Sequence, residues 1–354
     1  MVAMNVSNAS VIVRPFLAAV AALDREKQKL HASIVATLAQ CTPGWGNVKT
    51  DDVNVDHLGG AMTNLIFKVS KPSGENNEVL VRIYGEGTDS FFTRSDEMRL
   101  FQLLSNSDIG VGLLGEFHNG RVEKLIEGTT FTAKEMRKPE LSTAIARKMR
   151  LFHSLEADID KNPRYLNEIH RLLEIARVKC RGDRFDDVVD FDKFALDVKE
   201  LESIVEKVPS PVVLCHNDLQ YGNIMRNDNG VVLIDYEYSS YNPRGYDLGN
   251  HFCEWAYDYH KTINPHLGDF TKYPTVEEQR TYCRAYLEGE EKQNVTDQEV
   301  EQLRLEANTY SLGSHLFWSL WGFIQASQSE IDFDFLGYAL CRYDAFKTRV
   351  TLKN

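Results

Sequence analysis

Changes of hydrophobic period divide the 354-residue sequence and predict an α+β fold of two lobes. Residues 1–127 read as a small N-terminal β-sheet lobe with a leading helix, and residues 128–354 as a larger, mainly helical C-terminal lobe. Strand-like spacing occupies 53–58, 65–69, 79–84 and 113–126, whereas helical spacing dominates the second part. The third observation is a stretch at 212–238, where two apolar segments bracket a polar, acid-bearing loop.

In chain order, a helix is predicted over 16–39, with Leu23, Leu30, Ile34 and Leu38 on one face. Cys41-Thr-Pro-Gly-Trp-Gly46 breaks it. The strands at 53–58 and 65–69 flank Gly59-Gly60-Ala61-Met62-Thr63-Asn64. A glycine-containing tip lets backbone N–H groups lie close over phosphates, which makes Gly60, Thr63 and Asn64 candidates for nucleotide contact. Arg82 ends the run Val79-Leu-Val-Arg82, where a strand cation can pair with phosphate through its fork of donors. A helix over 90–104 carries Glu97, the expected ion-pair partner of Arg82. Asn119-Gly120 signals a hairpin turn between 113–118 and 121–126. Arg121 on that hairpin faces either phosphate or water. The segment 123–128, with Glu123 and Ile126, reads as a hinge whose backbone groups could hold an adenine edge. Farther on, a helix ends near Ser154, with Ile145, Met149 and Phe152 on its apolar face and His153 as a structural helix-end residue. Residues 155–208 read as charged helix, weakened near Arg181-Gly-Asp. Thr296-Asp-Gln-Glu299 is a capping box opening a helix that continues through Trp318 and Trp321, and a last helix closes the chain.

The stretch at 212–238 carries the chemistry. Asp218 stands five positions before Asn223, and Asp235 lies at the end of the second apolar segment. That is the layout of a phosphoryl-transfer loop: one carboxylate takes a hydroxyl proton, while an amide oxygen and a second carboxylate offer hard ligands to Mg²⁺.

Composition narrows the remaining classes. A net charge of −12 argues against a nucleic-acid partner, which would need a basic face. The six cysteines are scattered without a Cys-x-x-Cys pair, the pattern of a reduced intracellular protein. The apolar run from Ala9 to Leu23 is interrupted by Arg14-Pro15 and lacks a basic start, so it does not read as a signal peptide. No other stretch approaches a membrane span, so no stable membrane insertion is expected, and the predicted location is cytoplasmic.

Several motifs together resemble the choline/ethanolamine kinase family. They are Gly-Gly-Ala-Met-Thr-Asn at 59–64, Val-Leu-Val-Arg-Ile-Tyr-Gly at 79–85, Cys-His-Asn-Asp-Leu at 215–219 and Asp-Tyr-Glu-Tyr-Ser-Ser-Tyr-Asn at 235–242. Gly-Asn-His-Phe-Cys-Glu-Trp at 249–255, Phe-Trp-Ser-Leu-Trp at 317–321 and Ile-Asp-Phe-Asp-Phe at 331–335 complete the set. The resemblance implies a protein-kinase-like fold that transfers the ATP γ-phosphate to choline, the first step of the CDP-choline route to phosphatidylcholine. It implies Asp218 as base, Asn223 and Asp235 as Mg²⁺ ligands, and a homodimer. It also implies an acidic and aromatic cage at Tyr238, Glu254, Tyr259, Trp318, Trp321 and Tyr338. A quaternary ammonium has no N–H to donate, so aromatic faces and a nearby carboxylate suit it.

His216-Asn217-Asp218 lacks the arginine of the protein-kinase His-Arg-Asp triplet, and no Ala-Pro-Glu segment follows, which argues against a protein substrate. Ile331-Asp-Phe-Asp-Phe335 also resembles ethanolamine kinases, so ethanolamine or dual use stands as the alternative to choline. An aminoglycoside-type phosphotransferase is the more distant enzyme rival. A catalytically dead binding module is the rival of another class, and it would have lost Asp218, Asn223 or Asp235.

Overall fold

The computed structural model describes residues 26–58, 64–84, 94–107, 109–228, 230–289, 294–349 and 352. The chain divides into two compact units: residues 1–90 with 111–126, and residues 91–110 with 127–354.

The first unit is built on an antiparallel sheet of five strands in the order β1-β2-β3-β5-β4. These are β1 (Asn54–Leu58), β2 (Asn64–Ser70), β3 (Glu78–Tyr84), β4 (Leu113–Phe117) and β5 (Gly120–Lys124). Val79 and Val81 of β3 are buried on the face that also holds Phe67, Val69 and Val122, with Val81 opposite both Phe67 and Val122. Helix α1, over 26–41, covers that face with Ile34, Val35 and Leu38, and Trp45 fills the corner beyond it. Leu30, expected on the buried stripe, is 41% exposed because the stripe facing the sheet is narrower than the apolar spacing suggested. Side chains alternate along a strand, so Arg82, Arg121 and Glu123 share the opposite face. Register brings them together, with Arg82 paired to Arg121 and Leu80 to Glu123 across β3 and β5.

The second unit is mainly helical. Helix α2 (Arg94–Asn106) belongs to it, as do β6 (Thr129–Thr130), α3 (Pro139–His153), α4 (Tyr165–Lys179), α5 (Asp183–Asp186) and α6 (Phe191–Val205). The charged helical segment is thus interrupted around Arg181, where Gly182 takes a positive φ of 87°. Next come β7 (Val212–Cys215), β8 (Ile224–Asn227), β9 (Gly230–Leu233), β10 (Ser240–Pro243) and α7 (Arg244–Glu254). Helices α8 (Val276–Glu288), α9 (Asp297–Gln328) and α10 (Phe335–Thr348) end the described chain. Both α8 and α9 open with a full capping box, Thr275 with Glu278 and Thr296 with Glu299. At 32 residues α9 is buried nearly all round, and α4, α6, α7, α8 and α10 pack against it. Gly249 lets α7 approach closely, since a Cβ there would lie 2.3 Å from the Ala307 carbonyl oxygen. None of the described helices is long and apolar enough to cross a membrane.

Candidate active site

The loop between β7 and β8 carries Asp218 and Asn223, and its geometry comes from what holds its backbone. Asn217 has a left-handed φ of 67°, an uncommon conformation for a residue with a side chain. Its amide locks that state, with Nδ2 donating to the Tyr238 carbonyl at 2.8 Å and to Ser240 Oγ at 3.0 Å, while Oδ1 accepts from Asn242 at 3.0 Å. From α7, Asp247 accepts the backbone N–H groups of His216 and Asn217, each at 2.7 Å. The same carboxylate bonds His153 Nε2 at 2.9 Å, and His153 Nδ1 meets the Tyr286 hydroxyl at 2.8 Å. Burial works to raise the Asp247 pKa, but His153 and His216 outweigh it and hold the group below the usual carboxylate range. His153 is therefore structural, as expected, and the sequence reading missed that it braces this loop through Asp247. Cys215 completes this cluster, yet its Sγ donates to the Asn242 carbonyl at 3.3 Å and burial pushes its thiol pKa well up. These are bonded structural groups and not open metal ligands.

Within the loop, Asn223 Nδ2 donates to Asp218 Oδ2 at 2.9 Å and to the Asp218 carbonyl at 2.8 Å. The Asn223 amide nitrogen is thereby committed to Asp218, while Asn223 Oδ1 accepts from Gln220 Nε2 at 3.3 Å. Asp235 follows β9 in a left-handed conformation, φ 64°, so that it turns out of the strand path. Burial raises the Asp218 pKa well above the ordinary carboxylate value, and the charges of Glu254, Asp235 and Glu237 push it the same way. Asp218 keeps some accessible surface, but dense surroundings and three neighbouring carboxylates dominate its titration. The donor set of Asn223 Oδ1 and the Asp235 carboxylate is all oxygen and suits a hard divalent cation.

The six residues expected to form a cage are brought together. Ring contacts run from Tyr259 to Tyr338 at 6.4 Å, Tyr338 to Trp321 at 6.3 Å, Trp321 to Trp318 at 5.4 Å and Trp318 to Tyr238 at 5.3 Å. Glu254 closes the chain by accepting the Tyr259 hydroxyl at 2.9 Å. Trp318 is anchored to the core, its Nε1 donating to Asn250 Oδ1 at 2.8 Å, whereas Trp321, Tyr238 and Tyr259 are only partly buried. The sequence reading missed Arg342. Its guanidinium is fully buried, pairs with Glu254 Oε1, bonds the Tyr338 hydroxyl at 3.1 Å and stacks 4.4 Å over the Tyr257 ring. A cation four residues after Tyr338, directly following the apolar run Phe335–Cys341, was the available signal.

In the first unit, Arg82 Nε donates to Glu123 Oε1 at 2.7 Å and Arg121 Nε to the same oxygen at 2.8 Å. Burial works to raise the Glu123 pKa, but the two guanidiniums outweigh it and lower it to about 2. Arg121 is buried, with its guanidinium 5.7 Å from the Tyr84 ring centre. Glu123 and Lys124 are ladder residues of β5, so the irregular segment begins only at Leu125 and holds the half-buried Ile126. Gly60 and Thr63 and the side chains of Asn64 and Glu97 lie outside the described residues, and with them the expected pair of Arg82 with Glu97.

Residues 55–347 match the model of the choline/ethanolamine kinase family. The chain is 38% identical over 335 residues to probable choline kinase 2 of Arabidopsis thaliana, covering 92% of this chain and 93% of that protein. It is 37% identical over 324 residues to the human choline/ethanolamine kinase, covering 85% and 81%. The crystal structure of a choline kinase from Cryptosporidium parvum superposes with a TM-score of 0.78 at 26% identity, covering 90% of this chain and 94% of that one. With the Asp218 loop and the aromatic chain in place, these matches establish that the protein belongs to the choline/ethanolamine kinase family.

Proposed function

We propose that the protein transfers the γ-phosphoryl group of ATP to the hydroxyl of an amino alcohol, with choline preferred over ethanolamine. Asp218 takes the hydroxyl proton as the oxygen attacks phosphorus; the new P–O bond forms while the bond to ADP breaks. A pKa raised by burial and neighbouring carboxylates makes Asp218 a stronger base than an exposed aspartate. Mg²⁺ would be held by Asn223 and Asp235 and would neutralise phosphate charge. Arg82, aligned on β3 by Glu123, would contact the phosphates.

The observation that supports choline is the state of Glu254. One of its oxygens is paired with Arg342 and the other accepts from Tyr259, and the residue is 2% exposed. A primary ammonium must replace several lost water bonds with acceptors, whereas a trimethylammonium needs only the faces of Tyr259, Trp321 and Tyr338. The test is Mg·ATP-dependent phosphorylation of choline and ethanolamine side by side, read as kcat/KM. A clear choline preference supports the reading. Equal or reversed rates overturn the preference and leave the transfer, and no turnover of either overturns the function.

A further inference from the structure

We infer that His251 is a positioning residue for the phosphoryl-transfer loop, holding the Leu219 carbonyl so that Asp218 keeps its orientation; this rests on the proposed function. Residues four apart on a helix share a face, which aligns Asp247 and His251 along one side of α7, with Trp255 continuing the line at its C-cap. Asp247 holds the amides of the two residues before Asp218, as described. One turn farther, His251 Nδ1 donates to the carbonyl of Leu219, the residue after Asp218, at 2.8 Å. Asp218 is therefore bracketed from a single rigid helix. The rest of the turn closes on itself: the Asp218 carbonyl accepts from Gln220 N at 2.9 Å, and the Gln220 carbonyl accepts from Asn223 N at 3.0 Å. The Leu219 carbonyl is the point where this turn is tied to α7.

The tautomer that makes this bond is set from behind. Trp255 Nε1 donates to His251 Nε2 at 3.2 Å, which requires a bare Nε2 and leaves the proton on Nδ1. Burial lowers the His251 pKa to about 4, so the ring is neutral near pH 7. Tyr282 packs on the imidazole at 5.2 Å, and the Arg137 guanidinium lies 5.2 Å from the Trp255 ring centre.

The test compares His251→Phe, which keeps ring volume and removes both bonds, with His251→Asn, whose Nδ2 offers a donor at the same branch position. His251→Phe is expected to lower kcat about 10- to 100-fold with both KM values within about twofold, and His251→Asn to recover to within about fivefold of wild type. Unchanged kcat in His251→Phe, or equal impairment of the two variants, would overturn the assignment. Should His251→Phe fail to fold, ¹⁵N resonances of His251 in the wild-type protein decide. An Nδ1-protonated neutral ring is expected, and an Nε2-protonated ring overturns the proposal. Absence of turnover in the wild-type protein would count against the proposed function itself, while the tautomer still tests the His251 bond.

Discussion

Replacing Glu123 by glutamine isolates the charge of a carboxylate that the buried Arg121 and the half-buried Arg82 share. Glutamine keeps the size of the side chain and one acceptor oxygen, so no cavity opens and the bonds from Arg82 and Arg121 can persist in shape. What is lost is the anion between two cations whose side chains are 12% and 4% exposed. A pKa lowered from 4.5 to about 2, at about 1.36 kcal/mol per pH unit, corresponds to about 3 kcal/mol of preference for the ionised form in the folded state. That agrees with the roughly 3–5 kcal/mol typical of breaking a buried pair. The sign follows from the depressed folded value: the contribution is complete above pH 4.5 and disappears as pH falls from 4.5 toward 2. Hydrogen exchange of the β3 and β5 amides reports opening of this sheet without requiring the whole chain to unfold in one step. Glu123→Gln is expected to lower their opening free energy by about 3 kcal/mol at neutral pH, and acid should bring the wild-type protein toward the variant. A loss below about 1 kcal/mol would refute the idea that the carboxylate, and not the strand pairing, holds Arg82 and Arg121.

Asp218→Asn should lower kcat about a thousandfold while melting no lower than wild type, because it removes a carboxylate crowded by three others; near-normal turnover by the folded variant would dismiss Asp218 as the base. Trp321→Ala should raise the choline KM about 10- to 30-fold and leave the ATP KM unchanged, the scale of one desolvated cation–π contact. Equal changes in both constants would place Trp321 outside the cage. Asp247→Asn should destabilise the protein by about 3 kcal/mol in thermal or denaturant unfolding and depress kcat as well, since one carboxylate holds two loop amides and a buried histidine. Stability and kcat both at wild-type level would show that the loop keeps its shape without it.

Local pattern was enough to read much of the molecule. The strands of the first unit, the apolar face of α3 at Ile145, Met149 and Phe152, and the capping box before α9 all lie within a few residues of their own signals. The polar loop that carries Asp218 and Asn223 between β7 and β8, and the turn at Asp235 after β9, were legible for the same reason, because the apolar segments that bracket them are local. Long-range pairing was not legible. Arg342 joins Glu254 across 88 positions of sequence, and Arg82 meets Glu123 across 41 through a strand register that no local pattern states. His153 looked like a helix end because its partners, Asp247 and Tyr286, lie 94 and 133 positions away. Residue types and periodicity determined which segments form strands and helices and which family the motifs resemble. Only tertiary packing decided which charges neutralise one another, since ion pairing and burial depend on distances between elements that the chain leaves far apart.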